Sequence, residues 1–307
     1  MAGYALRRVA TTIPVLFAIL TLVFLMRPLV PGDPVAIMFF GRSSSPEVVA
    51  NMRHQLGLDD PLPIQYVRYL GDVLRGDLGT SITTRQPVVQ EIAERFPATL
   101  QLALGSLAVS CLVGLVAGIL AAVYKDTAID TAAMVFAMAG LSMPGFWFGL
   151  VMIYFFSVRL GWFSVIPDGS LKSLVLPALT LGLIASSVVA RLVRSAMLEV
   201  LGQDFIRTAR AKGLRERRVL LRHALGNAMI PVVTIIGLQF GGLLSGAFII
   251  EAVFAWHGIG ELAVDALGKR DFPLIQGIVL VIATSYVLVN LLVDLLYAVL
   301  DPRITYS

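Results

Sequence analysis

Six stretches of this sequence run for 18 residues or more with hardly a charge among them: Val9–Val30, Ala98–Tyr124, Thr131–Val158, Ser173–Ala190, Ala224–Ile250 and Phe272–Leu300. A bilayer core about 30 Å thick takes roughly 20 apolar helical residues to cross. Arg27 and Asp294 are the charged residues these stretches contain. With 57% apolar and 14% charged residues, the chain has too few charged groups to clothe a soluble particle of 307 residues. The expected fold is therefore an all-α polytopic membrane protein with six transmembrane helices. A net charge of +4 can point to nucleic acid, but here topology accounts for it and no nucleic-acid partner is expected.

The first span resembles a secretory signal at its start, where Arg7-Arg8 precedes an apolar run. A signal h-region is shorter, about 7–15 residues, and ends at a small-residue cleavage site. Here the run continues to Met26 and meets Arg27-Pro28 with no Ala-x-Ala pattern. A retained helix is the better reading. The lone Cys111 falls inside a span, which excludes a disulfide framework.

Six spans put both termini on one side. That side holds Arg7, Arg8, Lys125, Arg303 and the nine Arg or Lys between Arg191 and Arg222, thirteen in all. The short opposite loops hold four: Arg159, Lys172, Lys269 and Arg270. The bias is positive-inside, so both ends are expected in the cytoplasm. The 31–97 loop is left out of the count because loops beyond about 60 residues cross largely regardless of charge.

Three regions follow. Residues 1–30 form the N-terminal tip and first helix. Residues 31–97 carry turn signals (Pro31-Gly-Asp-Pro34, Asp60-Pro61, Gly76-Asp77-Leu-Gly79) between stretches with helical apolar spacing, Val48–Leu58 and Ile64 to Leu74. They are expected to fold as a small helical external cap. Residues 98–307 form a five-helix core with a cytoplasmic loop at 191–223.

Within the core, Gly237-x-x-x-Gly241 and Gly242-x-x-x-Gly246 suit close helix packing in lipid. Gln239 and Ser245 beside them leave open a second role as passage-lining groups. Ser142-Met-Pro144-Gly145 should bend the third span, because proline removes a backbone donor and clashes with the preceding turn. Such a bend suits a gate and also occurs in inert spans. Arg27 can snorkel to the outer boundary. Asp294, with Asn290 one turn before it, is expected to face a hydroxyl or backbone partner on another span, or else to relay protons.

Chemistry is not evident. There is no Gly-x4-Gly-Lys-Ser/Thr and no Gly-x-Ser-x-Gly, and His54, His223 and His257 have no ligand spacing. The chain is expected not to be an enzyme, with no metal and no cofactor of its own. An ion-coupled secondary carrier is the rival class; a single deep carboxylate and the large basic loop weigh against it.

That loop carries three acids against its nine basic residues, too charged for lipid and too close to it for a free domain. A helix lying on the membrane surface fits. In order along the chain stand Leu29-Val-Pro-Gly-Asp-Pro34, Gln55-Leu-Gly-Leu-Asp59, Gly76-Asp-Leu-Gly-Thr-Ser81, Arg207-Thr-Ala-Arg-Ala-Lys-Gly213, His223-Ala-Leu-Gly-Asn-Ala-Met-Ile-Pro231, Leu291-Leu-Val-Asp-Leu-Leu-Tyr297 and Leu300-Asp-Pro-Arg303. On these runs the sequence resembles, nearly end to end, the permease subunits of ATP-binding-cassette importers, in the dipeptide, oligopeptide, glutathione and nickel group (the B-type permease of the pair).

The resemblance implies a type I importer permease fold in a bacterial inner membrane and transport of short peptides or glutathione-like tripeptides, with nickel chelates, opines or oligosaccharides as alternatives. It implies four kinds of partner: a second, different permease, two ATP-binding subunits that hold ATP and Mg, an external substrate-binding protein, and lipid. It also implies that residues 203–214 dock in a groove of the ATPase. The coupling residues would be Asp204, Arg207, Thr208, Ala209, Arg210, Ala211, Lys212, Gly213 and Leu214. Arg207 and Thr208 stand where the general motif has its acid and first alanine, so the acidic contact is not carried over. Gly226 stands where the wider superfamily has proline. In this reading Ala209 and Ala211 allow close approach to the partner, Arg207, Arg210 and Lys212 pair with its acids, and Gly213 ends the helix. Gln239, Ser245 and Pro144 are the candidates for the translocation path.

Overall fold

The computed structural model describes residues 2–29, 46–55 and 57–300. The Pro31-Gly-Asp-Pro34 turn and Arg303 lie outside them, and so does the side chain of Arg27. The described residues form helices joined by turns and loops, with one isolated bridge between Thr80 and Pro87. We number the helices α1 (Ala2–Leu29), α2 (Pro46–Gln55), α3 (Leu62–Leu74), α4 (Val88–Val123), α5 (Ala128–Ser142), α6 (Gly145–Met152), α7 (Leu171–Leu201), α8 (Asp204–Ala211), α9 (Leu225–Gly246), α10 (Phe248–Val253), α11 (Ile259–Lys269) and α12 (Phe272–Leu300). A π-helical stretch, Ile153–Arg159, extends α6, and Glu216–Arg218 with a second one, Val219–Ala224, leads into α9.

Five helices are long and apolar enough to cross a membrane: α1, α4, α7, α9 with its lead-in, and α12. The sixth span is broken. α5 and α6 meet at 106°, with Met143 and Pro144 between them. The expected bend at Ser142–Gly145 is thus a sharp corner, and Thr131–Val158 is two helices instead of one. Pro144 supplies the break as the residue preceding α6, with extended backbone angles (φ −60°, ψ 128°).

Other boundaries also differ from the sequence reading. α4 runs unbroken across the 97/98 division, with Pro97 inside it. Its 36 residues span about 54 Å at 1.5 Å each, so the helix projects well beyond a hydrocarbon core. The early start has a packing cause: Val88 and Ile92, one turn apart, are buried against Leu274 and Ile278 of α12. α7 likewise continues eleven residues past Ala190, because Val193, Met197 and Val200 keep one face buried although Arg191 and Arg194 are charged.

The core is a parallel crossing of α4 and α7, and it is built on glycine. A Cβ on Gly114 would lie 2.6 Å from the Cβ of Val189, and one on Gly118 would lie 2.6 Å from the Ala190 carbonyl. From the other side, a Cβ on Gly182 would fall 2.6 Å from the Cβ of Val109. Close backbone approach of this kind supplies van der Waals contact where lipid offers no hydrophobic drive. In α9 the two small-residue pairs divide. Gly237 and Gly241 press on Val293 and Tyr286 of α12, while Gly242 faces open space.

Pairings fix which ends lie together. α4 and α12 run in parallel from Val88 beside Gly277, and α9 runs antiparallel to α12. The 202–215 loop, the α4–α5 turn at Lys125, the start of α1 and the far end of α12 therefore share one end of the bundle. The cap helix α3, α11 and the start of α12 share the other.

Candidate functional site

The basic loop forms one short amphipathic helix, α8, lying across the foot of α7 and α9. Asp204 sits in its first turn, complementing the helix dipole. Ile206 and Ala209, three apart, are buried with Met197, Val200, Val219 and Ala224 of the flanking elements. Ala209 thus packs against its own bundle and not outward, a correction to the expectation that it meets a partner. A larger residue there would pry α8 off its own chain. Ala211 is exposed.

The end of α8 is a Schellman motif. Leu214 N–H donates to the Ala209 carbonyl (3.4 Å) and Gly213 N–H to the Arg210 carbonyl (2.9 Å). Gly213 has φ +73°, the left-handed angle that favours glycine. Leu214 then folds back onto the same buried cluster.

Charges on α8 are partly spent inside the loop. Arg210 makes two bonds to Glu216, at 2.7 and 3.2 Å, and Arg207 pairs with Asp204 at 2.8 Å. Thr208 Oγ1 donates to the Asp204 carbonyl at 3.0 Å. Lys212 is exposed beside them. The outward surface is thus Phe205, Arg207, Thr208, Ala211 and Lys212 on a helix clamped at both ends.

Near the α7–α9 contact, Gln239 Nε2 donates to the Ala185 carbonyl at 2.7 Å, tying α9 to α7. Its Oε1 is buried and has no partner among the described residues. Ser245 donates back to carbonyls of its own helix, Gly241 and Gly242, at 3.2 Å. Pro144 is exposed at the α5–α6 corner.

Asp294 takes a partner that sequence reasoning did not foresee. Arg8 Nε donates to Asp294 Oδ2 at 2.6 Å. That places the carboxylate at the end of the bundle where α1 begins, not deep in the spans, and gives it a guanidinium in place of a hydroxyl or backbone group.

Three buried polar junctions escaped the sequence reading altogether. Glu251, fully buried, accepts from Thr99 Oγ1 (2.7 Å), Gly260 N–H (2.7 Å) and Glu261 N–H (3.2 Å), while Thr99 accepts from Ile259 N–H (2.8 Å). This joins α4, α10 and the first turn of α11. Asp271 caps α12 through Leu274 N–H and holds Ser81 Oγ at 2.6 Å and Thr83 N–H at 3.0 Å. At the opposite end Arg194 grips Asp130 with two bonds, 2.6 and 2.7 Å, fixing α5 to α7. A usable signal existed for Asp130, the one charged residue in α5.

Residues 114–306 match the family described as "Binding-protein-dependent transport system inner membrane component", and residues 1–103 match its N-terminal companion. The chain belongs to this family of transport permeases. Among its relatives, the glutathione transport system permease protein GsiC of Salmonella paratyphi A is 46% identical over the full length of both chains. The di/tripeptide transport system permease protein DppB of Pseudomonas aeruginosa is 43% identical, again over the whole of each. The fold is that of a solved inward-facing MetNI methionine ABC transporter chain, with TM-score 0.61 and 17% identity over 69% of this chain and 97% of that one. The permease is a multi-pass inner-membrane protein.

Proposed function

We propose that this permease forms half of the pathway of an ATP-driven importer of short peptides, di- or oligopeptides or a glutathione-like tripeptide, working by alternating access. What supports the substrate class is the pair of full-length relatives, one a glutathione and one a di/tripeptide permease. The single observation that carries the mechanism is α8. It is a short helix locked to its own bundle by Ile206, Ala209 and Leu214 while presenting Phe205, Arg207, Thr208 and Lys212 outward. A lever must be rigid on the side that transmits and exposed on the side that receives.

In this reading two ATP-binding subunits hold ATP and Mg, do the hydrolysis and pull on α8, so the permease itself needs no catalytic site or cofactor. A second, different permease completes the pathway. A substrate-binding protein docks on the external cap, and both termini are cytoplasmic. Turning a 1:99 population of outward-open to inward-open states into 99:1 takes about 5.5 kcal/mol of differential binding. A surface ion pair gives less than about 1 kcal/mol, so the whole outward face of α8 has to engage.

The test is a reconstituted complex carrying Gly213→Trp. Open space surrounds Gly213, so the backbone angle, not bulk, is what the change disturbs. Loss of substrate-stimulated ATP hydrolysis with basal hydrolysis retained is the expected result. Normal stimulation would sink the coupling role. Uptake that survives ATP depletion but fails when the ion gradient is collapsed would instead establish a secondary carrier.

A further inference from the structure

We infer that the external end of this chain holds a phospholipid with a primary-ammonium headgroup, of the phosphatidylethanolamine type, between the cap and the start of α12. Two adjoining cavities carry the inference, and it does not depend on which substrate the importer takes. The first, about 460 Å³, lies between α3, the 77–85 loop and the first two turns of α12. It is lined by charges of both signs, Arg68 and Arg85 against Asp72 and Asp77. The second, about 350 Å³, is lined by apolar residues, most of them on α4 (Ala93 and Phe96 among them), with Val281 of α12 and Leu78 of the loop. Leu78 belongs to both. Together they make a polar chamber beside an apolar trench that runs along α4 next to α12. That is the shape of a headgroup with an acyl chain attached.

The polar chamber has unspent bonding capacity. Among the described residues, neither the Asp72 carboxylate nor the Arg85 guanidinium has a partner, and the Tyr69 hydroxyl, buried, has none either. Arg68 gives one bond to Asp60 (2.7 Å), and a guanidinium has five N–H donors to give. Asp77 Oδ1 takes the Gly79 N–H at 2.8 Å. Arg85 is held in the chamber wall at φ +64°, an angle uncommon and mildly strained for a residue with a side chain. It is kept there by Arg85 N–H to the Ser81 carbonyl (3.1 Å) and Ser81 N–H to the Gln86 carbonyl (2.9 Å). A phosphate diester between the guanidiniums and an ammonium between the carboxylates satisfy both sets at once. An anionic headgroup without the ammonium leaves the carboxylates facing it. A free short zwitterion satisfies the charges but has no use for the trench.

Native mass spectrometry of the full-length protein, purified in detergent with its accompanying subunits, tests the assignment. The probes are phosphatidylethanolamine, phosphatidylglycerol and free glycylglycine. The wild type is expected to retain phosphatidylethanolamine over phosphatidylglycerol. Arg85→Gln and Asp72→Asn, both near the surface, should each lower retention roughly tenfold, the worth of one charge-assisted bond. Ala93→Trp should fill the trench and lower it similarly; if that variant does not assemble, Arg85→Gln decides alone. Equal retention by wild type and Arg85→Gln overturns the inference. So does equal retention of the two lipids, and so does displacement of the lipid by glycylglycine at millimolar concentration, which would make the chamber a site for soluble zwitterions.

Discussion

In the proposed coupling, one dihedral angle at Gly213 decides whether the basic loop acts as a lever or a tether. An L-residue in the left-handed region costs about 1–2 kcal/mol, and the two Schellman bonds depend on that turn. Gly213→Ala should therefore weaken substrate-stimulated ATP hydrolysis, while Gly213→Asn, which tolerates the angle better, should recover much of it. Equal losses in the two variants would show that lack of a side chain, not φ, is what the site requires. A second residue-scale effect sits at the end of the bundle where α7 begins. Hydrogen bonds from Ser170 and Ser173 hold the Asp168 carboxyl down at about 2, from its usual 3.8. The folded state thus prefers the ionised form. The stabilisation is present above the usual carboxylate range and is lost as pH falls through about 2. The difference in melting temperature between wild type and Asp168→Asn should be constant above pH about 4.5 and shrink toward zero in stronger acid; a difference that persists there would refute the assignment.

Helices meet at junctions that local patterns announce unevenly. Thr99 illustrates the hard case. It donates to Glu251, 152 residues away, and accepts from Ile259, 160 residues away. Thr99→Val keeps the shape but leaves a buried carboxylate and a buried N–H each short of a partner, at about 1–3 kcal/mol per group. The expected result is a lower melting temperature of the purified protein, with α11 exchanging its amide hydrogens faster; protection of α11 equal to wild type would refute the junction. Nothing in the sequence near Thr99 marked this, because pairing over such distances leaves no periodic trace. The six apolar runs, the corner at Pro144 and the turn at Gly213 were legible because each follows from composition or from one residue's backbone limits. The true starts and ends of α4 and α7 were not. An apolar run marks what lies in lipid and not where the helix stops: Arg191 and Arg194 ride on a helix whose other face stays buried. The glycines of α4 were overlooked beside the more conspicuous pairs in α9, and only packing against Val189 and Val193 shows what they do. At α8 the helix and its glycine were readable, but the inward turn of Ala209 was not, since a short helix does not reveal which of its faces its own chain will cover.

Across the whole molecule, α1 is the span with the smallest buried share, and a few polar ties hold it to its neighbours. Gln276 Nε2 reaches the Val23 carbonyl at 2.9 Å, Thr21 bonds Tyr66 at 2.6 Å, and Arg8 meets Asp294 at the opposite end. The Arg8–Asp294 pair decides between two accounts of the protein. If Asp294 relays protons, removing its charge should abolish transport and its dependence on an ion gradient together. If it clasps α1 to α12, the loss should be structural and small. The two side chains keep 45% and 30% of their surface exposed, and pairs of that kind give about 0.2–1 kcal/mol. Asp294→Asn is therefore expected to keep ATP-driven uptake within about twofold, with an unchanged pH profile, and to lower stability by no more than that amount. A double-mutant cycle with Arg8→Gln should return a coupling of the same size. Abolished uptake in Asp294→Asn, with assembly and ATP hydrolysis intact, would turn the clasp into a relay and take the ATP-driven account with it.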